Sequence, residues 1–477
     1  MRVIPSSIDP PQASNTRIAS IDMLRGLAIL GMALSGMLPW GTLPAWMYHA
    51  QLPPPEMKFN ADVPGITWVD WVFPFFLFAL GAAIPLNLSK KLEHVKSWTS
   101  LIPDILRRYG LLLAFAYLSQ HLRPISINSS PDQSTWMLAL LFFFATFLAF
   151  VRLPESWSAS HRYCFNLTGW MILIAALISL PAPDGQVFYY LNTRVDIILF
   201  VLANVSLSGT IIWILTRHSP QTRWIITAII AAAFIAKEFD GPIKVLWNFN
   251  PLPWFWQNEF HKYLLIVLPA TICGEALLNH SKFKEPLEHT PGAEWTITFT
   301  AIFSLLSITA ALFLRELEFA LFIAVISGAL GTVIASRACH FSPGMKTMIR
   351  LAAYFVLLGV ILDPTAGGIK KDPANLSYFF TLTGLAIWLT IAFTNLSKYR
   401  LIEKLMSPLT LTGMNPLLGY VAITNFVPAV IRLTQLHSWV GDQGWTPWQL
   451  AGYGLFQTLI VAIVCIVASR SKLFLRA

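Results

Sequence analysis

The side chain best suited to chemistry is His49, which lies in the segment MYHA just beyond the first apolar run. An imidazole can accept and return a proton near neutral pH, as a general base requires. Asp70 begins the next apolar run, DWVFPFFLFALG, where a carboxylate could fix the tautomer of the histidine. The pair predicts acid-base chemistry at one membrane surface. The alternative is an interfacial histidine that bonds only to backbone.

A second group of charges lies at the starts of apolar runs. Asp22 and Arg25 in RIASIDMLRGLAILGM are three residues apart, so they share one face of a helix and can pair. Arg107 and Arg108 in DILRRYG are adjacent guanidiniums, which suit bidentate binding of phosphate. These residues are candidates for binding a nucleotide-bearing cofactor. The alternatives are snorkelling of Arg25 and ordinary anchoring of basic residues at the cytoplasmic surface.

Three further polar clusters border later apolar runs: NEFHKY with Glu259 and His261, GGIKKDPANLSYF with Lys371 and Asp372, and TGMNPLLGY with Asn415. A charge near the bilayer centre costs at least ~2.5 kcal/mol, so such residues are candidates for a substrate site. The Gly and Pro beside Asn415 predict a broken helix, which is tolerated at membrane depth where it lines a cavity. The Lys-Lys-Asp cluster could equally be a solvated loop.

The elements that position these residues are predicted to be transmembrane helices. Of 477 residues, 55% are apolar and 12% are charged, about half of the ~25% usual in soluble domains. Apolar runs long enough to span a bilayer recur from end to end. They lie near residues 19–38, 68–88, 101–119, 136–151, 166–180, 195–215, 223–236, 262–278, 296–314, 318–336, 347–362, 376–395, 409–431 and 449–469.

We therefore predict an all-α polytopic membrane helix bundle of about 14 transmembrane helices (range 12–14). Residues 18–477 form one domain, after a disordered cytoplasmic tail at residues 1–17. Of 33 Lys and Arg residues, 20 fall in alternate segments on one side and 10 in loops on the other. This bias predicts that both termini are cytoplasmic. The dispersed net charge of +9 does not indicate a nucleic-acid partner, and four separated cysteines indicate neither a metal site nor disulfides.

Four stretches resemble the heparan-alpha-glucosaminide N-acetyltransferase family and its bacterial relatives of the DUF5009 type. They are SIDMLRGLAILGM, MYHA, GITWVDWVFPFFLFALGAAIP and GMNPLLGY. The similarity is densest over residues 17–88, recurs around 259–279 and 368–390, and returns at 405–425. The resemblance implies an enzyme of the bacterial inner membrane that takes acetyl from cytosolic acetyl-CoA and delivers it to an amino sugar on the periplasmic side.

The family pattern also suggests residue roles. Its catalytic histidine in the first outer loop falls on His49, and its other motif positions fall on Asp70, Asp22, Arg25 and Asn415. We accordingly expect three groups of site residues, which are catalytic His49, Asp70 and Asn415; acetyl-CoA-binding Arg25, Asp22, Arg107 and Arg108; and sugar-binding Glu259, His261, Lys371 and Asp372. No metal is expected.

Two other classes of function stay open. Intramembrane ionisable residues and broken helices are equally natural in a secondary transporter of an amino sugar. A structural membrane protein without chemistry is the third class. The sequence lacks a phosphate-binding P-loop, a paired-histidine zinc helix and a Gly-x-Ser-x-Gly elbow, which argues against ATP hydrolysis, zinc proteolysis and serine hydrolysis. The expected partners are a small sugar acceptor and the lipid bilayer, with a homodimer as an open alternative.

Overall fold

A computed structural model of the protein describes residues 17–95, 97–179, 194–283, 291–339 and 341–476. The predicted tail at residues 1–17 lies outside the described residues apart from Arg17. The helices are α1 (Ala19–Met37), α2 (Trp68–Glu93), α3 (Ile102–His121), α4 (Pro124–Ile127), α5 (Gln133–Phe150), α6 (Ala159–Ser179), α7 (Ile197–Thr216), α8 (Pro220–Ala236), α9 (Pro242–Asn248), α10 (Leu264–Ser281), α11 (Pro291–Leu314), α12 (Leu317–Arg337), α13 (Pro343–Ile361), α14 (Leu376–Leu396), α15 (Arg400–Gly413), α16 (Pro416–Val421), α17 (Val427–Leu433), α18 (Leu436–Asp442) and α19 (Pro447–Arg470). Single 3-10 turns cover Ala45–Met47, Trp98–Leu101, Asn258–Tyr263 and Asp363–Ala366.

Within the described ranges, twelve helical segments are long and apolar enough to cross a bilayer, with α16 and α17 counted as one segment. This confirms the prediction of an all-α polytopic bundle. All fourteen predicted runs contain helix, and the two outside the set of twelve are α3 and α8. Helix α3 carries Asp104, Arg107 and Arg108 in its first two turns, and α8 has only 17 residues.

Helix α14 lies at the centre of the bundle, and 94% of its most apolar stretch is buried. It packs against α13, α11, α1, α10 and α2, and α2 in turn packs along α10 and α1. A helix that is apolar all round is expected in the core of a large bundle. These central helices fix the relative positions of the loops at their ends.

Helices α1 and α15 approach each other through glycine. A Cβ atom on Gly413 would lie 1.8 Å from the Asp22 carbonyl oxygen, and one on Gly26 would lie 1.9 Å from the Leu409 carbonyl oxygen. Small residues at such crossings let two helix backbones pack closely in a membrane. The contact places the start of α1 against the end of α15.

The predicted break after Gly413 is confirmed. Helix α15 ends there, α16 begins at Pro416, and residues Ala422–Phe426 form a single π-helical turn before α17. Proline has no backbone N–H to donate, which ends the helical hydrogen bonding at this point. Two short strands, β1 (Val151–Arg152) and β2 (Phe474–Leu475), pair antiparallel beside the break.

Candidate active site

His49 lies in an ordered loop between α1 and α2. The Tyr48 hydroxyl accepts the N–H groups of Thr42 and Leu43 and donates to the Pro39 carbonyl at 2.5 Å. Tyr48 itself is buried. These bonds fold the loop over the end of the bundle, and the adjacent imidazole is held there with only 12% of its side chain exposed.

Asp70 is held in the first turn of α2 by its capping box. Its Oδ2 accepts the Thr67 N–H at 2.9 Å and the Ala50 N–H at 3.3 Å, and the carboxylate is fully buried. A capping box satisfies free N–H groups at a helix start. The other oxygen, Oδ1, has no hydrogen bond in the described part of the chain; it lies 3.4 Å from His49 Nδ1 and 3.8 Å from Lys371 Nζ. The predicted proximity of His49 and Asp70 is therefore observed.

The two ring nitrogens of His49 have different surroundings. Nδ1 accepts the Gln51 backbone N–H at 3.0 Å, which in a neutral ring places the proton on Nε2. Nε2 lies 3.7 Å from Asp372 Oδ2 and has no hydrogen bond to any described residue. In the other neutral tautomer, Nδ1–H could donate a hydrogen bond to Asp70 Oδ1. In that tautomer Nε2 would carry the free lone pair.

The loop that carries Lys371 and Asp372 is fastened to the His49 loop by Gln51. The Gln51 amide accepts the Asp372 N–H at 2.9 Å and donates to the Asp372 carbonyl at 2.5 Å. Gln51 is fully buried. Sequence patterns do not identify this residue, because a neutral amide in a loop carries no charge and no periodicity. It brings the Asp372 carboxylate to the exposed edge of the imidazole.

The electrostatics around Asp372 favour its ionised form. The neighbouring His49 ring and the Lys371 and Lys262 ammonium groups lower the pKa of the Asp372 carboxyl, against burial, which raises it. At the start of the same loop, Arg315 donates two hydrogen bonds, of 2.7 and 3.0 Å, to the buried Asp363 carboxylate. The site therefore presents an anionic group next to the imidazole.

Glu259 and His261 are engaged away from the imidazole. Glu259 pairs with Lys262 at 3.0 Å. His261 Nε2 lies 2.9 Å from Ser208 Oγ, and its Nδ1 lies 2.8 Å from the Asn258 carbonyl oxygen. Lys262, in the same segment, acts on the His49 cluster through its charge near Asp372.

A cavity of about 1450 Å³ opens at the other end of the bundle. Its deeper wall is apolar and includes Phe76 and Leu80 of α2. Its polar lining contains nine basic side chains, which are Arg17, Arg25, Lys90, Lys91, Arg107, Arg108, Arg152, Arg162 and Arg476, and the two carboxylates of Asp22 and Asp104. All four predicted cofactor-binding residues line this cavity. The charge bias predicts that this end faces the cytoplasm.

The predicted pairing of Asp22 with Arg25 is present, and it is part of a larger arrangement. Asp22 accepts from Arg25 at 3.0 Å and from Arg17 at 2.6 Å. Arg25 also donates to the Gly413 carbonyl at 3.1 Å. The pair therefore connects the start of α1 to the helix break. Arg152, Arg162 and Arg476 are further cavity residues, and in the sequence they are distinguished only by lying in segments predicted to be cytoplasmic.

The structure does not place Asn415 beside His49. Its fully buried amide donates to Ser469 Oγ at 3.0 Å and to the Leu473 carbonyl at 2.8 Å, and it accepts the Leu475 N–H at 2.9 Å. The residue adjoins the start of α1, whereas His49 lies beyond its end. Asp22 and Met37 are fifteen positions apart in α1, which is about 22 Å along the helix axis. Asn415 holds backbone, and we do not retain it as a catalytic group.

Along α2, the two polar regions are separated by less than two helical turns. Of the α2 residues that line the cavity, Phe76 is the one nearest to Asp70. It lies six residues, or about 9 Å, further along the helix. Between them, Phe73 packs against Tyr263 with ring centroids 5.3 Å apart. His49 and Asp70 are not among the described residues that line the cavity. Residues 71–75 of α2 therefore lie between Asp70 and the nearest cavity residue of that helix.

The fold and these two regions define a multi-pass helical membrane protein with polar sites at both ends of the bundle. The sequence profile of a domain of unknown function, DUF5009, matches residues 17–277, more than half of the chain, and the protein belongs to this family. No curated protein matches the chain. The matched region contains His49, Asp70 and Arg108, whereas Lys371 and Asp372 lie beyond it.

Proposed function

We propose that this protein is a transmembrane acyltransferase of the bacterial inner membrane. It transfers acetyl from cytosolic acetyl-CoA to an amino sugar on the periplasmic side, as the resemblance to the heparan-alpha-glucosaminide N-acetyltransferase family suggests. The observation that carries the proposal is the placement of His49 between the Asp70 and Asp372 carboxylates, at the opposite end of α1 and α2 from a large basic cavity.

The cavity supports the donor half of the proposal. Coenzyme A carries several phosphate charges on its nucleotide end and a long, uncharged pantetheine arm that ends in sulfur. Guanidiniums bind phosphate by paired charge-assisted hydrogen bonds. In this proposal Arg107, Arg108 and Arg25, which line the cavity, bind the phosphates, and the apolar wall at Leu80 and Phe76 contacts the arm. The thioester would then approach the Phe73–Tyr263 pair from below.

The chemistry follows from the two tautomers of His49. When Nδ1–H bonds to Asp70, Nε2 can take a proton from the acceptor as its nitrogen attacks the thioester carbon. A C–N bond forms, the C–S bond breaks, and the proton passes to the departing thiolate to give free CoA. Asp372 lies beside Nε2, where its carboxylate would attract a sugar ammonium. The ammonium would release one proton to bulk water to become the nucleophilic amine, and the second N–H proton is the one that Nε2 takes. A transient acetyl group on the ring is the alternative route.

Radiolabelled acetyl-CoA with purified protein and glucosamine tests the proposal. We expect labelled product from the wild type and a loss of about 10²- to 10⁴-fold in His49→Ala, the usual contribution of a general base. Label retained on the protein without acceptor would identify the acetyl-histidine route. Normal transfer by His49→Ala would refute the catalytic role. Accumulation of sugar in proteoliposomes that lack acetyl-CoA would instead establish a transporter.

A further inference from the structure

The segment 473–476 is docked onto the mouth of the basic cavity. Leu475 donates its N–H to Asn415 Oδ1 at 2.9 Å, and the Leu473 carbonyl accepts from Asn415 Nδ2 at 2.8 Å. Arg476 donates its N–H to the Phe150 carbonyl at 3.0 Å, beside the Val151–Leu475 strand pair. Backbone hydrogen bonds thus fix this segment in one place against α5 and α16.

The docked segment adds both an apolar wall and a charge to the cavity. Leu475 is buried, and together with the Arg476 side chain it lines the cavity next to Arg25 and Arg108. The guanidiniums of Arg17 and Arg476 lie over the Phe474 ring, at 5.5 and 5.6 Å from its centroid. Residues from both ends of the described chain therefore meet at one site.

Within the part of the chain that the structure describes, basic side chains outnumber carboxylates at this place. The Asp22 carboxylate is already shared by Arg17 and Arg25. In the described ranges, neither Arg108 nor Arg476 forms an ion pair with a carboxylate. Burial and the nearby guanidiniums of Arg152 and Arg17 lower the pKa of Arg476. Guanidiniums kept close together without counter-ions indicate a site for an anion with more than one charge.

We propose that Arg476 and Arg108 bind the same phosphate-bearing ligand, and that the segment 473–476 completes this anion site only when Asn415 holds it in place. Asn415 is then a positioning residue that acts through Arg476. This inference extends the proposed function, in which the ligand is the nucleotide end of coenzyme A. A phosphate of a lipid headgroup has the same chemistry, so the test must separate the two sources.

The test measures the affinity of the full chain for CoA and for inorganic pyrophosphate in phosphatidylcholine nanodiscs. We expect Arg476→Gln to weaken both by about tenfold, the loss of one charge-assisted hydrogen bond. Arg470→Gln is the matched control, because Arg470 is exposed at the end of α19 and does not line the cavity. Unchanged binding of both probes by Arg476→Gln would overturn the inference.

Asn415→Ala tests the positioning role. We expect it to weaken CoA binding and raise the KM for acetyl-CoA as Arg476→Gln does, with kcat little changed and no further loss in the double variant. A merely structural Asn415 would lower the yield of folded protein and leave the affinity of the folded fraction unchanged, and additive losses in the double variant would also contradict positioning.

The same data separate this inference from the proposed function. Pyrophosphate binding that depends on Arg476, without any binding of CoA, would support the anion site and refute the donor. Acetyl transfer that requires His49 but is unchanged by Arg476→Gln would support the proposed function and refute the anion site. Nanodiscs that contain phosphatidylglycerol provide the lipid arm: if they suppress the Arg476-dependent binding of pyrophosphate, the lipid headgroup occupies the site.

Discussion

At the scale of single residues, the proposed acyl transfer depends on the contacts that orient His49. The sequence could predict its proximity to Asp70, because both border apolar runs that must end at the same membrane surface. It could not predict the tautomer. The Gln51 N–H competes with Asp70 for Nδ1, and that competition depends on a loop conformation that no periodicity encodes. The position of Asp372 likewise follows from the buried Gln51 amide, which joins loops 321 residues apart.

The Asp372 carboxyl gives a pH-dependent prediction. The His49 ring, followed by Lys371 and Lys262, holds the pKa of Asp372 below its ordinary value of 3.8. A lowered carboxyl pKa stabilises the folded state above about pH 4, and this stabilisation is lost as the pH falls further. We expect Asp372→Asn to unfold at a lower temperature than the wild type at pH 6, with a smaller difference at pH 3.5.

Because 57% of the Asp372 side chain is exposed, the effect should be below about 1 kcal/mol. The control is Asp62→Asn, which removes an exposed carboxylate from the His49 loop. Thermal unfolding in one detergent at both pH values provides the measurement. A difference between wild type and Asp372→Asn that is the same at pH 6 and pH 3.5 would show that the neighbouring charges do not act on this carboxyl.

At the scale of elements, hydropathy predicted helices and the Gly-Met-Asn-Pro break, because apolar runs and proline act locally. It could not predict what the break is for. The π-helical turn and the strand pair β1–β2 depend on contacts between segments far apart in the chain, and two-residue strands leave no sequence pattern. The family pattern predicts a catalytic Asn415, whereas in the structure its amide holds the segment 473–476.

The crossing of α1 and α15 gives a prediction at this scale. A methyl group on Gly413 would overlap the Asp22 carbonyl, so Gly413→Ala must push the two helices apart. We expect a loss of about 1–3 kcal/mol in stability, typical of overpacking. CoA binding should weaken as well, because Asp22 and Arg25 move. Gly36→Ala in α1 is the control, since a Cβ atom at Gly36 would meet nothing within 4 Å. Equal unfolding temperatures and CoA affinities of the two variants would contradict this packing.

At the scale of the whole molecule, the all-α membrane bundle was predictable, because the bilayer requires every span to satisfy its own backbone. The basic cavity was only partly predictable. Its arginines come from α1, α3, α6 and the strand pair, and each alone resembles an ordinary anchor at the membrane surface. Only the three-dimensional arrangement shows that they converge on one space, opposite His49.

The most direct test of transfer across the membrane uses oriented proteoliposomes. Exposed Cys339, at the end predicted to be cytoplasmic, reports orientation through an impermeant maleimide. Acetyl-CoA is supplied only on that side and glucosamine only on the other, and acetylated sugar is measured in both compartments. We expect product on the glucosamine side with wild-type protein and a loss of at least about 10²-fold with His49→Ala. Product confined to the acetyl-CoA side, or undiminished by His49→Ala, would contradict the proposal.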